Sequence, residues 1–397
     1  MKITMLTPSF PSYKGDVQSP FVYQLCKTMI NLGHDVKIVC PSYTHNRRDL
    51  DIENNTKRFR YMWPKKFQTL TSEGGIPSSL KNSKWAKIQL PFFFLFFLLK
   101  SLRHTRNTEI IHAHWTLSGL VGVICKKIWR KKLIITTRES LLENYLKSPI
   151  MKKVFLFVYR NADYIASANE NHPGIISSFG IPKEKTGTVL NGMRIDLFKI
   201  RDKKEVRNQL GIPLNRNVVL FVGWLIERKG VKYLFEAAKS LNKEGKDYLF
   251  YFVGDGALYE ELSKKVKDEN LGDNIKFVGR KEHTEIPLWM NACDIFVFPS
   301  LFEGRPNVVA EAMMCGAPVV ATDINGIRNE LIIDGQNGFM VPSEDSKSIQ
   351  EKISYLFNNP KKLEEFSKKG KEFIDKKTYS WQDCAKKYSA IYGNLIS

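Results

Sequence analysis

The sequence predicts an α/β protein of two doubly wound parallel domains in tandem. The chain has 397 residues, enough for two or three domains at about 150 residues each. Strand-like apolar runs alternate with helical patterns in two separate series, which is typical of βαβ units. Apolar residues make up 43% and aromatic residues 12% of the chain. This composition excludes wholesale disorder, a collagen and a coiled coil.

The first series begins at the N-terminus. Strands are predicted at residues 2–7, 35–40, 110–113, 132–136 and 164–168. A loop rich in Pro, Ser and Gly covers residues 8–20, and a helix follows over 21–32, ended by Gly33. Residues 42–83 are polar and less periodic, and no element is predicted there.

The second series restarts near residue 217. Strands are predicted at residues 217–222, 248–253, 275–278, 294–298 and 318–321, with a helix over 231–241. Helical patterns over 360–376 and 381–395 close the chain. The boundary falls within residues 191–213, where Gly192, Gly211 and Pro213 cluster, so the domains are taken as 1–196 and 197–377. Because open parallel sheets bind ligands at the carboxyl ends of their strands, we expect a cleft between two such domains.

The charge is uneven. The formal charge is +20, and residues 1–196 carry 30 Lys or Arg against 13 Asp or Glu, a net of +17. A basic half fits nucleic acid, anionic lipid or a phosphorylated substrate. Six scattered cysteines argue against a zinc cluster or disulfide framework and for a reducing compartment. The strand-like N-terminus gives no indication of a signal peptide.

One long apolar run, FFFLFFLL at residues 92–99, has basic residues on both sides between Lys81 and Arg106. Eight residues are too few to span a bilayer, which needs about 20. The run therefore predicts either a buried core helix or an interfacial helix. In the interfacial interpretation, Phe93 and Phe96 contact lipid.

The strongest motif is PSLFEGRPNVVAEAMMCGAPVVA at residues 299–321. A strand ends there, a loop carries Glu303, and a helix starts near Asn307 and bears Glu311. The amides of Asn307 and Val308 at the helix start favour a phosphate. The alternative is that both carboxylates are ordinary exposed residues.

Two further motifs follow predicted strands. In GWLIERKG at residues 223–230, Arg228 and Lys229 suit a diphosphate, although a solvated loop would look the same. In IIHAHW at residues 110–115, His112 and His114 point to one face, with His114 nearer the ligand loops. No other residues complete a zinc site, and His112 is expected to be structural.

Together these motifs resemble retaining nucleotide-sugar glycosyltransferases of the GT-B class, family four, group 1 type, which build bacterial envelope and capsular polysaccharides. Supporting motifs are NGMRIDLF at 191–198, VGDG at 253–256 and DGQNG at 334–338. The resemblance implies a GT-B fold, with two Rossmann-like domains facing across a cleft. It also implies that the last helix, within residues 378–397, returns to the first domain.

The resemblance assigns roles by position. The catalytic candidates are His114 and Glu303, the latter contacting the donor sugar. The donor-binding candidates are Gly15 of the first loop, Arg228 and Lys229 at the diphosphate, Arg280 beside the base, Asn307 and Val308 at the helix start, and Glu311 near the ribose. Many relatives have Gly-Gly where this chain has Gly15-Asp16, and His-Gly where it has Arg138-Glu139. Asp16 and Arg138 are therefore acceptor-side candidates, or contribute only to the fold.

The predicted function is retaining transfer of a hexosyl group from a nucleotide sugar to a lipid-linked or envelope glycan acceptor. No Asp-x-Asp metal motif is recognised in the sequence, so no metal and no other cofactor is expected. The basic half and the apolar run predict peripheral attachment to an anionic membrane, at the cytoplasmic face. The alternatives are a nucleic-acid-binding protein, which lacks a recognition motif here, and a sugar-nucleotide epimerase or phosphorylase on a similar fold.

Overall fold

The computed structural model describes residues 1–14, 16, 18–43, 49–71, 75–138, 148–170, 172–303, 306–377 and 380–397. The chain forms two compact units, the first made of Met1–Gly192 and Tyr379–Ser397 and the second of Met193–Thr378. The boundary drawn from the sequence, between residues 196 and 197, lies just inside the second unit.

Each unit contains one sheet in which all described strand pairs are parallel. The strands are β1 (Lys2–Leu6), β2 (Asp35–Pro41), β3 (Thr56–Phe59), β4 (Ile110–His114), β5 (Lys132–Thr137), β6 (Tyr164–Ser167), β7 (Thr186–Thr188), β8 (Asn217–Val222), β9 (Tyr248–Val253), β10 (Ile275–Gly279), β11 (Ile295–Phe298), β12 (Val319–Thr322) and β13 (Phe339–Val341). The spatial order is β3-β2-β1-β4-β5-β6-β7 in the first unit and β10-β9-β8-β11-β12-β13 in the second. The predicted α/β class with two doubly wound sheets is confirmed.

The helices cover both faces of these sheets. They are α1 (Pro20–Asn31), α2 (Gly75–Asn82), α3 (Lys84–Thr105), α4 (Trp115–Trp129), α5 (Pro149–Arg160), α6 (His172–Ser177), α7 (Lys203–Leu210), α8 (Val231–Lys243), α9 (Tyr259–Asp268), α10 (Ile286–Ala292), α11 (Asn307–Met314), α12 (Ser346–Asn358), α13 (Pro360–Lys377) and α14 (Trp381–Ile396). A parallel sheet has apolar side chains on both faces, so each face requires its own layer of helices.

In the first unit, these two layers have separate cores. Side chains of α3, α4 and α5 bury one face of the sheet, against strand residues such as Ile111 and Ile135. Side chains of α1 and the C-terminal helix α14 bury the other face, against residues such as Ile110 and Ile134. The last helix is thus an integral layer of the first unit, although its residues are the last in the chain.

Three strands were not predicted, namely β3, β7 and β13. Each has only three or four residues and lies at an edge of its sheet. The sequences TKRF and TGT contain no apolar run, because an edge strand has one neighbour and needs less apolar surface. β13 is apolar (FMV) but only three residues long, which is too short for a periodic signal. Pairing with β2, β6 and β12 determines these strands, not local pattern.

The apolar run at 92–99 lies within a much longer helix, the 22-residue α3. Among the described helices α3 alone is long and apolar enough to cross a bilayer by length and composition. Its two sides differ, however. Phe93 and Phe97 are fully buried and pack on Phe59, whereas Phe92 and Phe96 are exposed. The expectation that Phe93 contacts lipid is therefore wrong, because the residue fills the core.

Phe97 and Phe96 provide a matched pair for testing this arrangement. Phe97→Ala removes a buried ring stacked on Phe59 at a centroid distance of 4.9 Å, and we expect it to lower the free energy of unfolding by about 3–5 kcal/mol. Phe96→Ala should cost less than about 1 kcal/mol, because that ring is on the exposed side of α3. Urea denaturation of both variants measures the difference, and equal losses would contradict the two-sided assignment of α3.

Candidate active site

In the second unit, the strand order reverses between β8 and β11. The chain proceeds outward through β9 and β10 on one side of β8, then returns to place β11 on the other side. Loops after neighbouring strands diverge at such a reversal and leave a crevice at the carboxyl edge of the sheet. The loops after β8 and β11 carry the three predicted residues Arg228, Lys229 and Glu303.

The loops after β8, β9 and β11 approach one another so closely that two positions require glycine. Gly230 has a φ of +62°, and a Cβ there would lie 1.9 Å from the carbonyl oxygen of Pro299, at the end of β11. Gly254, after β9, has a φ of +150°, and a Cβ would lie 1.9 Å from the carbonyl oxygen of Gly223. Larger residues would force the loops apart.

Arg228 and Lys229 both bind the carboxylate of Glu303. Arg228 Nη1 lies 2.8 Å and Lys229 Nζ 2.6 Å from Glu303 Oε1. The Ser300 hydroxyl donates to the same oxygen at 3.1 Å. The side chains of Lys229 and Glu303 are only 14% and 13% exposed, whereas that of Arg228 is 36% exposed. Burial lowers the pKa of Lys229, and the charge of Glu303 opposes that shift.

The helix α11 starts directly after this loop, at Asn307. The preceding residue, Pro306, gives it no side-chain cap. The first amides of a helix lack intrahelical acceptors, so those of Asn307 and Val308 are available to an anion. Together with the cations Arg228 and Lys229, these amide N–H groups lie at the carboxyl edge of the sheet. Such a combination of cations and N–H donors suits a diphosphate.

Glu311 lies one turn into α11 and is mostly buried. Its Oε1 is 3.2 Å from Nε2 of His283, which the sequence did not single out. The side chain of His283 is 56% exposed, and its partial desolvation would lower its pKa, but the hydrogen bond and charge of Glu311 outweigh this and raise it. The imidazole also lies 5.2 Å from the Phe198 ring. Arg280, the base-side candidate, is exposed three residues before His283, directly after β10.

In the first unit, the equivalent reversal lies between β1 and β4. His114 is the last residue of β4, and α4 begins with the next residue, Trp115. Trp115 has a φ of +65°, a conformation rarely adopted by a bulky residue. Such strain is concentrated at functional sites, where surrounding packing maintains it.

His114 is fully buried, and Arg138 sets its hydrogen bonding. Arg138 Nε donates to His114 Nδ1 at 3.2 Å, and Arg138 Nη1 donates to Asn191 Oδ1 at 2.5 Å. Burial is the main cause that holds the pKa of His114 well below 6.5, and the neighbouring His112 and Arg138 side chains lower it further. The ring is therefore neutral. Since Nδ1 accepts, the proton is on Nε2, which has no hydrogen-bond partner among the described residues. His114 therefore offers one N–H donor.

His112 is structural, and the C-terminal helix supports it. Its Nδ1 lies 2.7 Å from the Tyr392 hydroxyl and its Nε2 lies 2.6 Å from the Thr136 hydroxyl. The Tyr388 hydroxyl in turn bonds Thr136 at 2.8 Å. The rings of His112 and His114 are 4.4 Å apart, so α14 supports the candidate site through this network. In the sequence, the only signal for this support is the spacing of Tyr388 and Tyr392, about one helical turn, which places them on the same face of the helix.

Asp16 has an internal role in the first loop, since its carboxylate accepts from the backbone amides of Ser12 at 2.8 Å and Gln18 at 3.0 Å. Gly15, the predicted donor-side glycine, lies outside the described residues, as does Glu139.

An Asp-x-Asp sequence does occur, at residues 49–51, away from the donor motifs. Its Asp51 is bound by the ammonium groups of Lys14 and Lys27, at 2.6 and 2.5 Å.

Comparison with known proteins places both units in one class of enzyme. The chain matches Glycosyltransferase Family 4 over residues 18–197 and Glycosyl transferases group 1 over residues 202–373. An uncharacterized glycosyltransferase of Methanocaldococcus jannaschii is 29% identical over 300 residues, 75% of this chain and 78% of that protein. The UDP-Gal:alpha-D-GlcNAc-diphosphoundecaprenol alpha-1,3-galactosyltransferase of Escherichia coli is 28% identical over 283 residues, 69% of this chain and 71% of that enzyme.

Solved structures agree on the fold. HepE of Anabaena, crystallised in complex with UDP, has a TM-score of 0.76 at 21% identity, covering 99% of this chain and all of the HepE chain. The fold and the two family matches define a GT-B glycosyltransferase. The chain belongs to the family four, group 1 glycosyltransferases, as its motifs indicated.

The two cations can be tested separately from the fold. We expect Arg228→Ala and Lys229→Ala each to lower turnover on the order of 10²–10³-fold, because the role predicted for these charges is to stabilise the negative charge that grows on the leaving group. Lys232→Ala is the matched control, since Lys232 lies three residues further along the chain, is partly exposed and pairs with Glu227 instead. Steady-state kinetics would measure the effect, with thermal unfolding to verify folding. Turnover near that of the control in both variants would refute the assignment.

The Glu311–His283 pair makes the stability of the fold depend on pH through the protonation of His283. The raised pKa means that the pair stabilises the fold at pH values below the ordinary 6.5, and that this contribution is lost as the pH rises through the raised value. Glu311→Gln removes the charge, so we expect the pKa of His283 to fall. NMR titration of the imidazole, assigned with His283→Gln, would measure this, and an unchanged pKa in Glu311→Gln would show that the two side chains do not interact.

Proposed function

We propose that this enzyme transfers a hexosyl group from a nucleotide diphosphate sugar, with retention of anomeric configuration, to a lipid-linked or envelope glycan acceptor. The observation that carries the proposal is the cluster of Arg228, Lys229 and Glu303 at the strand-order reversal of the second unit, beside the start of α11. The diphosphate binds this cluster and the α11 amides, and Glu311 binds the ribose.

The chemistry follows from where charge develops. Breaking the bond between the sugar and the diphosphate leaves positive charge on the anomeric carbon and negative charge on the departing phosphate oxygen. Arg228, Lys229 and the amides of Asn307 and Val308 stabilise that oxygen without a metal ion. Glu303, held by both cations, orients toward the donor sugar. The acceptor hydroxyl oxygen forms the new bond to the anomeric carbon, and the departing diphosphate takes the proton from that hydroxyl.

The first unit supplies the acceptor side. His114 provides a neutral Nε2–H donor, and Arg138 fixes that tautomer by donating to Nδ1. Arg138 is therefore a positioning residue in this proposal, and Asp16 maintains the shape of the first loop. The acceptor class is supported by the Escherichia coli relative, whose name specifies a sugar linked to diphosphoundecaprenol.

Transfer from a radiolabelled nucleotide-sugar panel to a polyprenyl-diphosphate glycan tests the proposal. We expect thermal stabilisation by the matching donor, by roughly 2.7 kcal/mol at 100 times its dissociation constant. We also expect product formation to continue in excess chelator, because side-chain cations replace a metal. A product of inverted configuration would refute the proposed chemistry. Inactivation by chelator that magnesium or manganese reverses would refute metal independence, and hydrolysis without transfer would favour the phosphorylase class.

A further inference from the structure

The outer helical layer of the first unit has an unusual composition. The helices α3, α4 and α5 lie side by side on one face of the sheet, with α4 packed against both others. They contain nine Lys or Arg residues and no Asp or Glu. The basic residues are Lys84, Lys87, Lys100, Arg103, Lys126, Lys127, Lys152, Lys153 and Arg160. A typical surface intersperses both signs of charge, so a layer without carboxylates indicates an anionic partner.

The same layer exposes a row of large apolar side chains. On α3 they recur at intervals of three and four residues, so they lie along one side of the helix. They are Trp85, Ile88, Phe92, Leu95, Phe96 and Leu99, each between 41% and 55% exposed. The row extends about 21 Å along the helix at 1.5 Å per residue. Ile128 of α4 and Phe157 of α5 are also exposed, at 51% and 44%. Soluble proteins rarely expose such a row of large apolar side chains without a partner.

The opposite side of α3 is fixed in the protein core, so the helix cannot leave its unit to cross a bilayer. The side chain of Gln89 is fully buried and accepts from the backbone amides of Thr69 and Leu70 at 3.0 and 3.2 Å. Phe93 and Phe97 pack on Phe59. Only the outer side is available for another surface.

The cations flank the apolar row. Lys84 and Lys87 lie at its N-terminal end, Arg103 at its C-terminal end, and Lys127 over the exposed Phe157 ring at 5.2 Å. Lys126 is the exception, because it pairs with Asp163 at 2.8 Å. Apolar side chains with cations at their margins suit the interface of a bilayer. There the apolar side chains enter the outer part of the acyl region, and the cationic side chains contact the lipid headgroups.

We propose that the outer side of α3, together with Ile128 and Phe157, is a docking surface for an anionic lipid bilayer, and that the protein binds the cytoplasmic face of the membrane there without crossing it. Charge complementarity selects the bilayer over a second copy of this chain, because two copies would bring the same excess of cations together. The surface is separate from the residues assigned to transfer, so this proposal does not depend on the proposed function.

Co-sedimentation of the full chain with vesicles tests it. We expect binding to vesicles of phosphatidylcholine mixed with phosphatidylglycerol, weaker binding to phosphatidylcholine alone, and a decrease with added salt. The triple variant Ile88→Ser, Leu99→Ser, Ile128→Ser should lose about tenfold or more in vesicle affinity. The matched control is Ile200→Ser, Leu214→Ser, Ile396→Ser, which changes the same residue types at 42–60% exposure elsewhere and should bind like the wild type.

A charge variant covers the case in which the triple serine variant fails to fold. Lys87→Gln, Arg103→Gln, Lys127→Gln leaves the apolar packing intact and should lower affinity for anionic vesicles on the order of fivefold per charge removed. Equal binding to neutral and anionic vesicles, or equal losses in the matched control, would overturn the proposal. So would self-association that the serine variant abolishes, since a second copy would then cover the surface. No donor or acceptor is present, so the outcome is independent of transferase activity.

Discussion

The burial of two all-parallel sheets is the constraint on which the rest of the structure depends. Both faces of such a sheet are largely apolar and are covered by helices, so the polar groups of a binding site collect where the strands end. In both units the strand order reverses at the first strand, between β1 and β4 and between β8 and β11. His114 lies at the first reversal, and Arg228 and Glu303 lie in the loops at the second. At such a reversal the loops diverge and leave a crevice.

Opposite charges then hold the donor loops in place. Glu303 and Lys229 form a largely buried ion pair, which costs desolvation energy and is maintained only with several good contacts. Arg228 and Ser300 supply those contacts, and the close approach at Gly230 fixes the distance between the two loops. In the first unit the polar groups remain neutral instead, since burial suppresses the charge on His114. The second unit thus presents cations and a carboxylate at its strand ends, whereas the first presents a neutral imidazole.

The helix α3 connects fold and proposed localisation through its two sides. Phe93 and Phe97 complete the core that covers the first sheet, and that sheet positions His114. The outer row on the same helix is free to contact a bilayer. An enzyme whose acceptor is anchored in lipid gains from such an arrangement, because docking restricts its search to the membrane surface without changing the site.

The sequence by itself determined the fold class, most strands and the family, because apolar periodicity and motifs such as Arg228-Lys229 are local patterns. It also indicated that His112 is structural. Tertiary structure alone decided that β3 and β7 are strands, since their pairing comes from distant partners. It alone decided which phenylalanines of α3 are buried, because a helix apolar all round has no periodic signal to separate its sides. The Arg138 contact with His114, the Glu311 contact with His283 and the support of His112 by Tyr388 and Tyr392 join residues far apart in the chain, so only the folded arrangement specifies them.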